Sequence, residues 1–201
     1  EQWAEPSPRP AFAAALEALK SLGPRFEVVE LPRFPYSGVA STVIDAEGAS
    51  VFEPLIRDGR VDELADRFQI ASLRAALDLK STDYLRAQRI RAKIQSELTP
   101  LFRKLDILIT PSLLETANRI DRSLHSSPAR RESPSTRGLT DLGAAGNLLG
   151  WPALSIPCGF ADGLPVGLQL VTRPFNENRI LALGVAFQKQ TDWHLRQPSA
   201  A

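Results

Sequence analysis

Methionine is absent from the 201 residues, and cysteine occurs once, at Cys158. A lone thiol cannot close an internal disulfide or share a structural zinc site of the usual spacing, and it points to a reducing, cytoplasmic compartment. A chain that starts at Glu1 with no methionine is expected to have a cut edge there rather than a translation start. No apolar run approaches the roughly 20 residues of a membrane-spanning helix, and the opening EQWAEPSPRP lacks the basic-then-apolar pattern of a signal peptide. Charge of one dominant sign is missing as well. Lys plus Arg number 24 and Asp plus Glu 23, a formal net charge of +1, so no global field draws nucleic acid or an anionic membrane. No two glycines are adjacent, which removes glycine-rich phosphate loops. His, Asp, Glu and Cys nowhere fall at metal-ligand spacing, so no cofactor or metal is indicated.

What is present suits a globular α/β protein. Of the residues, 43% are hydrophobic and 23% charged, enough for one unit spanning 1–201 or a large part of a bigger domain. Phe12, Ala15, Leu16, Leu19 and Leu22 fall at helical spacing before Gly23-Pro24, and FEVVEL at Phe26 to Leu31 follows as a strand candidate closed by Pro32. From Ser37 to Leu79 the pattern is helical but interrupted, with Gly48 and Asp58-Gly59 as the expected breaks. Thr82 to Lys104 repeats Tyr84, Ala87, Ile90, Ile94, Leu98 and Leu101 behind a Ser81 cap, and should be the longest helix. Its Arg86, Arg89, Lys93 and Glu97 read as a solvated face with helical-spacing ion pairs rather than a nucleic-acid surface.

DILIT, Asp106 to Thr110, is an apolar run too short for a helix and stopped by Pro111, as expected of a strand buried on both faces in the centre of a sheet. Residues 112–138 are polar and clustered in Ser, Arg and Pro, a long loop. Residues 139–150 read as a helix. Ala153 to Ile156 and Val166 to Val171 then read as two strands of a hairpin turning at Asp162-Gly163, and Glu177 to Gln190 closes as a helix. Gly150 and Pro152 form a hard helix stop that aims ALSIP into the sheet.

The run from Asn147 keeps Gly150, Pro152, Ala153, Ser155 and Pro157, followed by Gly163, Leu164, Pro165, Val166, Gly167, Leu168 and Gln169. It resembles, almost position by position, the C-terminal stretch of amidase-signature enzymes. DYLRAQRIRAKI and DILITPSLLETA, earlier in the chain, are similar to that family's long helix and the strand that follows it. The resemblance implies a mixed β-sheet flanked by helices, of which this chain supplies a C-terminal portion. It also implies cleavage of carboxylic amides by a serine nucleophile, a second serine in a cis peptide and a lysine base, with backbone amides of a glycine-rich loop holding the oxyanion. Those groups precede the matched region, so no catalytic residue is assigned here.

Other chemistry finds no support. Ser126-Ser127 beside His125 lacks flanking glycines, and no G-x-S-x-G elbow accompanies His125 or His194. Cys158 reads as a small apolar residue at a strand end. In amidotransferase relatives an acidic residue shortly before the matching asparagine helps hold the substrate's amino group. The resemblance thereby points to Thr140, Asp141 and Asn147 as substrate-pocket residues, with helix capping as the competing role of Thr140 and Asp141.

Three readings follow: the later part of a hydrolase acting on a small amide, inactive by itself; the A subunit of a glutamine-dependent amidotransferase; or a catalytically dead module kept for binding or assembly. Strands such as DILIT and ALSI, parted from a missing front half, should leave open edges and favour a homodimer or poor solubility.

Overall fold

The computed structural model describes residues 7–118 and 137–198, apart from the side chains of 137–140. Helices α1 (Arg9–Lys20), α2 (Tyr36–Arg57), α3 (Arg67–Ala76) and α4 (Ser81–Leu98) precede strand β1 (Leu108–Pro111). Helix α5 (Arg137–Leu149), strands β2 (Ala153–Ala161) and β3 (Leu164–Val171), and helix α6 (Glu177–Gln190) complete the order. The α/β class holds. The described strands form one antiparallel sheet in the order β1-β3-β2.

The hairpin at its centre follows from local chemistry. Asp162 and Gly163 both take positive φ, 51° and 76°, the pair of left-handed residues that a tight primed turn needs to match strand twist. β2 and β3 then pair from Ala153↔Val171 to Ala161↔Leu164, with a bulge between Pro157 and Gly159 that leaves Cys158 over. Period-two alternation sends Leu154, Ile156, Leu168, Leu170 and Ile109 to one face, where they pack with Phe12, Ala15 and Leu19 of α1 and Ile180 and Phe187 of α6. The other side carries a helical cluster in which Tyr36, Val39 and Val43 of α2 meet Ala87, Ile94 and Leu98 of α4 and Ala145 and Leu148 of α5. Leu142 of α5 joins that layer to the sheet by packing on Leu108 and Val171.

Several expectations are corrected. FEVVEL is extended but unpaired, with Val28 95% exposed; β propensity produces no strand without a ladder partner, and none is present among the described residues. Gly48 does not interrupt α2, which at 22 residues exceeds the 18 of α4. Packing against three neighbouring helices outweighs the roughly 1 kcal/mol that a helical glycine costs. Pro100 ends α4 early, and the chain continues to Arg103 as a 3-10 turn. Ser81 is the first helical residue, not the cap, which is Lys80. Of DILIT only Leu108 to Thr110 enter β1, which runs on through Pro111 rather than stopping before it; β1 lies at an edge of the described sheet, while β3 holds the centre. The break at Asp58-Gly59, the stop at Gly150 (φ 65°) and the bounds of α6 agree with the sequence reading. On α4, Arg86 lies 4.0 Å from Asp83, and the Lys93 ammonium sits 5.9 Å from the centre of the Phe34 ring.

Candidate functional site

Three residues were expected to line a pocket, all on α5. Thr140 falls in its first turn, with its side chain outside the described residues. Asp141 is half-buried and faces Tyr36 closely enough to act on it. Burial pushes the Tyr36 phenol up to about 12, and the negative charges of Asp141 and Glu97 add to the shift. Asn147 is exposed near the far end of the helix. It lies six positions after Asp141, about 9 Å along the axis, so the structure does not bring the two together.

A second polar group, not anticipated from the sequence, lies across the sheet. Thr110, Gln169 and Ser155 stand in one register row of β1, β3 and β2, and alternation sends all three to the face opposite the apolar core. The Thr110 hydroxyl donates to Gln169 Oε1 at 3.4 Å. One step along, Ser112 Oγ and Ser155 Oγ are 2.5 Å apart. That bond joins the two outer strands over the top of β3, which is feasible because the residue beneath it is Gly167: a Cβ there would lie 2.6 Å from Ser112 Oγ and 3.2 Å from Ser155 Oγ. Only Thr110 and Ser112 in ITPS alternate visibly in the sequence; Ser155 and Gln169 are single polar positions in their strands, and it is the strand register that brings the four together.

The seam ends where α5 begins to cover the sheet. Leu142, the chain neighbour of Asp141, packs on Leu108 and Val171, two residues along the strands from Thr110 and Gln169. Hydroxyls and an amide can donate to and accept from a bound polar group, but none of the four takes up a proton near neutrality. The arrangement can orient a ligand and does not by itself activate a nucleophile.

The remaining candidates separate from it. Cys158 is 1% exposed at the bulge, where burial pushes its thiol up to about 12, far from the thiolate that nucleophilic chemistry needs. His125, Ser126 and Ser127 lie outside the described residues, and His194 sits in a short 3-10 turn after α6. Among the described residues no group of three or more His, Cys, Asp or Glu could hold a metal ion, and no helix is long and apolar enough to cross a membrane.

The family model described as Amidase matches residues 2–181. The chain belongs to the amidase-signature family. Among its relatives, the A subunit of glutamyl-tRNA(Gln) amidotransferase from Chloroflexus aggregans is 31% identical over 98% of this chain and 44% of its own length. An amidase of Pseudomonas putida is 30% identical over 96% of this chain and 41% of its own. A crystal structure of an amidase superposes with a TM-score of 0.75 at 27% identity, covering 90% of this chain and 41% of that one. The structure of a vestigial protein complex bearing on the evolutionary origins of an s-triazine catabolic enzyme gives 0.76 at 26%, covering 96% and 42%. The chain therefore spans about two-fifths of the length of the relatives it matches, and its fold is a part of the amidase-signature fold.

Proposed function

We propose that this chain is the C-terminal part of an amide hydrolase that cleaves a small carboxylic amide to an acid and ammonia or an amine, in a cytoplasmic setting. In this reading it completes the sheet and lines one wall of the substrate pocket, while the serine, cis-serine and lysine of the family lie in a segment outside this polypeptide. The observation that carries it is the neutral seam of Thr110, Ser112, Ser155 and Gln169. It is a row of hydrogen-bonding groups with no base among them, on the sheet face next to the helix that bears Asp141. An amide substrate presents N–H donors and a carbonyl acceptor that such a wall satisfies, and catalysis needs the activated nucleophile that it lacks. Thr140, Asp141 and Asn147 remain the proposed pocket residues, and in this reading Asp141 meets a substrate amine. Until the rest of the sheet is added, the outer edge of β1 favours a homodimer.

The test has two arms. Residues 1–201 alone, given a panel of amides and a serine-directed fluorophosphonate, should neither hydrolyse nor label; labelling overturns the assignment of the nucleophile to another segment. Joined to a segment carrying the family's serines and lysine, the chain should turn over small amides, and Gln169→Leu should raise KM. The amidotransferase relatives favour a second reading, in which the complete protein releases ammonia from glutamine for a protein partner. Glutaminase activity together with co-purifying partners selects it, and activity on simple amides without partners rejects it.

A further inference from the structure

A cleft of about 390 Å³ opens between the 3-10 turn after α4, the start of α6 and Trp151, away from the four seam residues, none of which lines it. Three guanidinium groups from three separate segments line it: Arg103 from the turn, Arg173 from the β3–α6 connection and Arg179 from the first turn of α6. Asp106 is the one carboxylate among the lining residues, and it is already taken by an ion pair with Arg179. Among the described residues neither Arg103 nor Arg173 has a carboxylate partner, so the cleft holds an excess of two positive charges.

Part of the lining is apolar. Phe102 and Trp151 meet edge-to-face with ring centres 5.0 Å apart, leaving an aromatic surface that takes a third ring well. The connection that presents Arg173 also contains Phe175, a bulky residue held at φ 63° with 96% of its surface exposed. Left-handed backbone at an aromatic residue is strained, and a ring this exposed gains little from packing among the described residues. Strain of this sort gathers where a loop is shaped for a ligand rather than for stability.

We propose that this cleft binds a small aromatic carboxylate, with its carboxylate between Arg103 and Arg173 and its ring against Phe102 and Trp151. Planar guanidinium forks match carboxylate oxygens two by two. The volume lies at the small end of ligand pockets, suited to one substituted ring. Asp106 in the same cleft repels more highly charged anions, and the aromatic wall offers a bare inorganic anion nothing.

The experiment uses residues 1–201 and follows the Trp151 indole N–H by two-dimensional NMR while benzoate is added. A saturable shift is expected with a Kd on the order of 1 mM, typical of a fragment-sized ligand. Arg103→Gln with Arg173→Gln should weaken it at least ~10-fold, while Arg57→Gln, whose arginine pairs with Glu53 elsewhere, should leave it unchanged. Circular dichroism of each variant establishes that it is folded. Benzamide binding as tightly as benzoate, inorganic phosphate shifting Trp151 with equal affinity, or full affinity in the double variant would each overturn the proposal, as would the absence of a saturable shift.

Discussion

Ser112 and Ser155 hydrogen-bond at 2.5 Å from opposite sides of β3, and Gly167 is the residue whose missing side chain lets them meet. A Cβ at position 167 would lie 2.8 Å from Ser112 Cβ as well as 2.6 Å from its Oγ. Ser112 cannot simply swing aside, because its own backbone N–H donates to the Gly167 carbonyl at 2.8 Å. Gly167→Ala is expected to destabilise the chain by about 1–3 kcal/mol, the usual cost of overpacking. Combining it with Ser112→Gly should recover much of that loss. A urea-denaturation cycle of the two single variants and the double checks this, and simple additivity would mean that the clash is absorbed elsewhere.

Alkaline pH should unfold the protein through two buried groups. The Cys158 thiol rises from its usual 9.0 to about 12, and the Tyr36 phenol from 10.0 to about 12. Both keep their protons in the folded state at a pH where the unfolded chain has lost them. Their contribution is therefore complete below the unfolded values and is lost as pH climbs from about 9 to 12. Stability should fall in that window by up to about 1.4 kcal/mol per pH unit for the thiol. Chemical denaturation at stepped pH measures the slope, and Cys158→Ala should flatten its lower part.

The Asp162-Gly163 turn sets the register of the central hairpin. Gly163→Ala places a Cβ on a residue at φ 76° and is expected to cost about 1 kcal/mol. The loss should show as a lower urea midpoint with an unchanged slope. A changed slope would indicate that the hairpin had slipped register instead.

Arg91 ties α4 to the end of α5. Its Nε donates to the Leu148 carbonyl at 2.6 Å, satisfying one of the acceptors that a helix C-terminus leaves without a partner. Arg91→Met keeps the apolar stem and removes the donor, with an expected loss of about 1–2 kcal/mol. Equilibrium unfolding of the variant is the check, and no loss would mean that water replaces the bond without penalty.

Local chemistry made much of this fold legible. The paired left-handed residues of the hairpin, the Gly150 stop and the apolar face of α6 are short-range signals, and each stands where the sequence put it. FEVVEL misled because a strand depends on a partner, and none is present among the described residues. α2 ran through Gly48 because tertiary packing outweighed a local preference. The site divides in the same manner. Asp141 is a candidate through resemblance to a family pattern, whereas the seam arises from register between residues 43 and 59 positions apart, which alternation within any one strand does not reveal.

The docking of α1 on β2 and β3 has a kinetic consequence. Residues 153–190 form a hairpin and a helix joined by short connections, and they can find one another quickly. Phe12, by contrast, reaches the same cluster as Phe187 only after some 140 intervening residues have been looped out, and closing that loop is entropically unfavourable. The first helix in the chain should therefore be among the last to settle and the first to detach, baring Leu168 and Leu170 while the hairpin still stands. Limited proteolysis of the native state should then cut near the front of the chain well before it reaches α6.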